Sequence, residues 1–142
     1  MSRRRKFYRN EPVHASKWML NYLIKDKNKT RKLKVSVYFR HMNEDTGRCY
    51  DRTKTHFVIV LSPDMSRNES LRVLAHECIH IAQFVTGKLF IKNGEGHWKS
   101  KIYKETDDMS YAAYRALPWE KEAFRRQTKI AKAYKEWLSN KS

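Results

Sequence analysis

The stretch between Ser66 and Gly87 limits the folding of this chain more than any other. Ser66 followed three positions later by Glu69 is a capping box that opens a helix, and Gly87 falls where a helix would stop, so the pattern predicts one long helix over 67–86. Between Val73 and Gly87 every side chain is apolar except His76, Glu77, His80, Gln83 and Thr86. On a helical wheel these five fall within about half the circumference. The helix is therefore expected to be buried and to present one polar wall. Desolvating two imidazoles and a carboxylate costs several kcal/mol unless each finds a partner, so that wall requires an explanation.

His76, Glu77 and His80 form an HExxH string. Four residues advance a helix by about 400°, which places the two imidazoles one turn apart on nearly the same face, where one tetrahedral Zn²⁺ can bridge them. Glu77 lies about 100° round from His76, within reach of a water on such an ion without binding it, and is the expected general base. A hydrolytic zinc site needs a third protein ligand and an open position. The candidates are Glu120 first, Glu122 second and His97 third. The two glutamates lie in LPWEKEA, in the first turn of a predicted closing helix, and point about 200° apart, so only one can face the metal. Gln83 continues the histidine stripe and could support the site or line a cleft. Cys78, about 200° from His76, belongs on the apolar side.

Elsewhere the pattern is that of one small domain. Trp18, Leu20, Tyr22, Leu23 and Ile24, with Pro12 near the start, predict a first helix that gives way to the charged run from Lys25 to Lys34. Val35, Val37 and Phe39 alternate with polar or amphipathic residues, and 56–61 is rich in branched and aromatic residues, which predicts two strands around a loop. Residues 88–92, the NGEG turn and 97–104 read as a hairpin. Pro118 suits the first turn of a last helix reaching Leu138.

A chain of 142 residues with 40% apolar content supports one core. Residues 1–10 are expected to be a basic arm and 11–142 a single domain. With 31 Lys and Arg against 15 Asp and Glu, the net charge is +16, which implies attraction to polyanions. The segment 55–98 balances Arg67, Arg72, Lys88 and Lys92 against Asp64, Glu69, Glu77 and Glu95, so the excess lies outside it. No apolar run approaches the ~20 residues of a membrane span, and Cys49 and Cys78 do not suggest a disulfide framework, so a cytoplasmic protein without a membrane partner is expected.

HECIHIAQ followed by WKSKIY and PWEKEAF resembles the short zincin-like metallopeptidases of bacteriophage and bacterial genomes, over roughly residues 55–126. That resemblance implies an α+β zincin-like minimal metallopeptidase domain, with a small, mostly antiparallel sheet packed on the HExxH helix and helices at both ends. It further implies a gluzincin-type ligand set of His76, His80 and Glu120, a protein or peptide substrate, and host cytoplasm if the chain is phage-encoded. Phe124 departs from the pattern, because an acid or amide expected there would support a histidine ligand. Gly96, His97 and Trp98 also resemble, less closely, the segment of SprT-like proteases that supplies a third histidine, although the spacing after His97 differs. SprT-like enzymes act on DNA-bound proteins, which the charge would suit. A reading from another class is a nucleic-acid-binding protein with a non-catalytic metal site. In that reading phosphates are tracked by Arg3 to Arg9, the loop 25–34, and Lys121, Arg125, Arg126, Lys129, Lys132 and Lys135. If peptide hydrolysis is the activity, Tyr103, Tyr111, Tyr114 and His97 are candidates to stabilise the oxyanion.

Overall fold

The computed structural model describes residues 7, 10–104 and 109–141; most of the expected basic arm, including Arg3, Arg4, Arg5, Lys6 and Arg9, lies outside them. In chain order the described elements are α1 (Glu11–Leu23), α2 (Lys27–Arg31), β1 (Lys34–Phe39), β2 (Gly47–Asp51), β3 (His56–Leu61), α3 (Arg67–Val85), β4 (Leu89–Lys92), β5 (Glu95–Trp98), β6 (Lys101–Lys104), α4 (Tyr111–Ala116) and α5 (Pro118–Lys141).

Helix α3 is the centre of this α+β arrangement. Its start is the capping box: the Ser66 hydroxyl accepts the Glu69 N–H at 3.2 Å and donates to the Glu69 carboxylate at 3.0 Å. Its end is set by Gly87 at φ 77°, in the left-handed region. Ala15, Met19 and Leu20 of α1 share a core with Phe57, Ile59 and Leu61 of β3, with Leu71, Leu74, Ala75, Cys78 and Ile79 of α3, and with Ala123, Ile130 and Tyr134 of α5. Cys78 is wholly buried in that core, on the apolar side as expected. A buried ionic contact fixes the helices against one another. Arg67 of α3 donates to both carboxylate oxygens of Glu11 on α1 at 2.8 and 2.7 Å, and Tyr134 of α5 donates to the same carboxylate at 2.9 Å.

The β structure differs from the expected two strands and a hairpin. Among the described residues two three-stranded sheets form, in the orders β1-β3-β2 and β4-β5-β6. The first is mixed, with β1 parallel and β2 antiparallel to β3. Strand β2 hides in the expected loop because it is a largely exposed edge strand without an apolar alternation. Strand β6 follows a tight turn at Lys99 and Ser100, both at positive φ (49° and 67°), a conformation that glycine or asparagine usually signals. The preceding turn, at Asn93 and Gly94, carries that signal and is where the sequence places it. A five-residue helix, α2, interrupts the charged run because the Asp26 carboxylate accepts the Asn28 N–H at 3.0 Å. Among the described residues no helix is long and apolar enough to cross a membrane.

Candidate metal centre

The two helices that build the site meet face to face. Helix α3 contributes His76 and His80 one turn apart, and α5 contributes Glu120 from its first turn. The His76 Nε2, His80 Nε2 and Glu120 Oε1 atoms form a triangle with edges of 3.0, 3.1 and 3.2 Å. Ligand atoms about 2.0–2.1 Å from a tetrahedral Zn²⁺ would lie about 3.3 Å apart, so the triangle is close to the size that such an ion requires. The three residues are 5 to 9% exposed. They are the group of His, Cys, Asp and Glu among the described residues that could hold a metal ion.

The outward nitrogens of both rings are also held. His80 Nδ1 lies 2.8 Å from Gln83 Oε1. The orientation of that amide is fixed from its other end, because Gln83 Nε2 donates to the Trp119 carbonyl and to Glu122 Oε1, both at 3.0 Å. Only its oxygen is left for His80, so Nδ1 carries the proton and donates it. The Nε2 lone pair of a neutral His80 therefore faces His76 and Glu120, an arrangement that calls for a cation or a proton at the centre of the triangle. His76 Nδ1 is 2.7 Å from Gln127 Oε1, seven residues after Glu120 on the same face of α5. Phe124, between them, packs edge-on against the His76 ring at 4.6 Å between centroids. The support missing from the Phe124 position thus comes from Gln127.

Electrostatics match this geometry. Burial works against charge on the Glu120 carboxyl, but hydrogen bonds from His76 and His80 outweigh it and hold the group down at about 2. Burial likewise opposes the His80 imidazolium, and the hydrogen bond to Glu120 with its negative charge pushes the ring up to about 9. Glu77 sits on α3 between the two ligands in sequence. Burial raises its carboxyl, opposed by the nearby His80 and His76. Its Oε2 is the one buried side-chain oxygen or nitrogen among the described residues with no hydrogen-bond partner. Such an orphan in a native core calls for an explanation such as an ordered water or an ion.

The other candidate ligands are placed elsewhere. Glu122 accepts from Gln83 and pairs with Lys88, so it supports His80 through an intermediary. His97 lies on the outer face of the second sheet. Along β5 the side chains alternate, and Gly96 and Trp98 turn inward while His97 stacks on Phe90 at 4.4 Å. Of the oxyanion candidates, Tyr114 lines the cleft of about 320 Å³ that also contains Glu77, His80 and Glu120. Tyr103 packs edge-on against Trp119 at 5.6 Å, and Tyr111 is 67% exposed and stacks on Tyr114.

Two glycines set the walls. A Cβ at Gly47 would lie 2.4 Å from Val73 Cγ1, and one at Gly96 would lie 2.4 Å from the Trp119 ring, so β2 lies this close to α3, and β5 to the first turn of α5, only because both side chains are absent. Gln127 was legible in principle from its spacing to Glu120, whereas the glycine contacts leave no local signal.

The SprT-like family model matches residues 15–115, from α1 through α4, and so includes the HExxH helix but ends before Glu120. No curated protein and no solved structure matches the chain. The match therefore supports the second of the two resemblances, while the gluzincin-type likeness of the PWEKEAF segment receives no support from it. His97, the third ligand that the SprT-like resemblance implies, is not among the residues that converge. With a match over most of its length and two motif histidines converging on a carboxylate, the chain belongs to the SprT-like family, which is associated with metalloprotease-type activity.

Proposed function

We propose that the protein is a zinc-dependent metallopeptidase in which His76, His80 and Glu120 hold the ion and Glu77 is the general base. The observation that carries this reading is the unpartnered, buried Glu77 Oε2 beside three converging ligand atoms. A mixed set of two imidazoles and one carboxylate, with a cleft on its open side, fits a hydrolytic zinc site and not a structural one, which usually has four ligands rich in Cys. When bound, zinc acidifies a water and polarises a carbonyl.

The protein's own residues supply the remaining functions. Glu77 Oε2 takes the proton of the attacking water and passes it to the leaving amine; burial raises the carboxyl toward the range in which it can do both. Gln83 and Gln127 hold the imidazoles with Nε2 turned inward. Tyr114, which lines the cleft, is the residue that would donate to the oxyanion in this reading. Strand β2 is an edge of its sheet and lines the same cleft, so an extended peptide can be held there by main-chain pairing.

A second reading concerns where the enzyme works. Lys121, Arg125, Lys129 and Lys132 are exposed at helical spacing along α5, a basic stripe that suits a nucleic-acid backbone. The two readings separate cleanly. Glu77→Gln should retain zinc and lose hydrolysis of an unfolded protein such as casein, and a chelator should abolish it in the unmodified chain. Arg125→Glu with Lys129→Glu should leave casein hydrolysis intact and weaken DNA binding in a salt-dependent manner. Equal zinc content in the unmodified chain and in His80→Ala would overturn the metal site.

A further inference from the structure

Resting on the peptidase reading, we propose that the chain carries a substrate subsite beyond the metal, selecting peptides with a large apolar side chain next to an acidic residue. A second cavity, of about 410 Å³, opens at the end of the first sheet, and its size is that of a ligand pocket. Its floor is apolar, made by Leu33, Phe57, Phe84 and Val85, and its rim carries Lys29, Lys32 and Lys54 against the single acid Asp51. Three ammonium groups over an apolar floor suit an apolar side chain with a carboxylate beside it.

Continuity with the active cleft comes from Phe84, which lines both cavities and is 38% exposed. Phe84 lies one helical turn beyond His80, an advance of about 6 Å along α3. Strand β2 runs in the same direction, with Cys49 and Tyr50 at the active cleft and Asp51 at the second cavity. A peptide laid along that edge covers about 3.3 Å per residue, so its side chains reach the second cavity roughly two to four residues from the scissile bond. Helix α2, the element that the charged run does not predict, is what brings Lys29 and the neighbouring Lys32 to the rim.

The test uses two readouts. In the first, the zinc-loaded full chain digests a peptide library and the cleavage sites are read by mass spectrometry. Asp or Glu should be enriched two to four residues to one side of the cut, beside an apolar residue, and Lys29→Glu with Lys32→Glu should replace that preference with one for Lys or Arg. In the second, zinc-loaded Glu77→Gln protein is titrated with a fluorescein-labelled peptide containing Leu-Glu-Glu and with its Leu-Lys-Lys counterpart. The acidic peptide should bind more tightly, and the double lysine reversal should weaken it roughly fivefold, as expected for exposed ion pairs. Both lysines are exposed, so a melting curve unchanged by the reversal confirms that the fold is kept. Absence of all cleavage together with lysine-dependent capture of the acidic peptide would overturn the peptidase reading and leave the pocket standing. Equal binding of the two peptides, or a cleavage profile untouched by the reversal, would overturn the subsite. Stronger lysine-dependent binding of oligothymidylate than of the acidic peptide would reassign the pocket to a phosphate backbone and overturn the proposal.

Discussion

Replacing Gln83 with Leu tests whether the chain of contacts behind His80 serves the metal or merely the fold. Gln83 is 2% exposed and makes three hydrogen bonds: one from His80 Nδ1 at 2.8 Å, and one each to the Trp119 carbonyl and Glu122 at 3.0 Å. Leucine fills similar space but leaves the His80 N–H without a partner, while the Trp119 carbonyl keeps its place in the α5 ladder and Glu122 retains Lys88. One stranded group predicts a loss of about 1–3 kcal/mol in the stability of the metal-stripped protein. Losing the orienting hydrogen bond of a histidine ligand predicts a further 10- to 100-fold fall in zinc affinity, roughly 1.4–2.7 kcal/mol. Gln127→Leu is the matched comparison. It removes the single hydrogen bond of His76 Nδ1 at a half-buried position, so zinc affinity should fall by the same order while stability changes by about 1 kcal/mol. Zinc affinity is read by competition with a chromophoric chelator and stability by urea unfolding of stripped protein. A Gln83→Leu variant that binds zinc as tightly as the unmodified chain would refute the reasoning, whatever its stability.

Three further outcomes follow from the same coordinates. With no metal bound, the lowered Glu120 stabilises the fold above its ordinary 4.5 and that contribution is lost as pH falls toward about 2, whereas the raised His80 stabilises it below 6.5 and loses that contribution as pH rises through about 9. The stripped protein should be most stable between pH 4.5 and 6.5, and zinc binding at neutral pH should release about one proton, seen as a calorimetric enthalpy that depends on the buffer; a buffer-independent enthalpy would contradict this. Gly96→Ala should cost about 1–3 kcal/mol, because the added methyl meets the 4% exposed Trp119 ring at 2.4 Å, and a melting temperature unchanged from the parent would show that the ring can yield. Glu11→Ala should cost about 3–5 kcal/mol by removing the bidentate carboxylate from the buried Arg67 and the acceptor of the Tyr134 hydroxyl, and a loss under 1 kcal/mol in urea unfolding would show that this buried contact adds little to the fold.

What the sequence disclosed follows the range of the forces involved. Helix α3 was legible because its capping box, apolar face and terminal glycine all act within a few turns. The convergence of Glu120 was expected from the position of a helix start, since Pro118 announces α5 and an acid in the first turn is well placed to face a partner. Gln127 is not singled out by the sequence because the pattern places the support at Phe124, four residues after Glu120, whereas the structure uses the next position on the same face. Strand β2 escaped notice because an exposed edge strand has no buried alternation, and the third strand of the second sheet did so because Lys99 and Ser100 adopt positive φ without glycine. The close contacts at Gly47 and Gly96 have no local signature for a different reason: the atoms that these glycines make room for belong to residues more than twenty positions away.

The separation of the cage along the chain bears on its birth at the ribosome. His76 and His80 emerge together on one helix, but the carboxylate that joins them is made forty residues after His80, on the last helix described. Throughout that interval a nascent chain holds at most an imidazole pair, which grips a divalent ion weakly. If the triad holds an ion as proposed, full chelation waits until translation has passed the first turn of α5, and the ion then fastens that helix to the segments made before it.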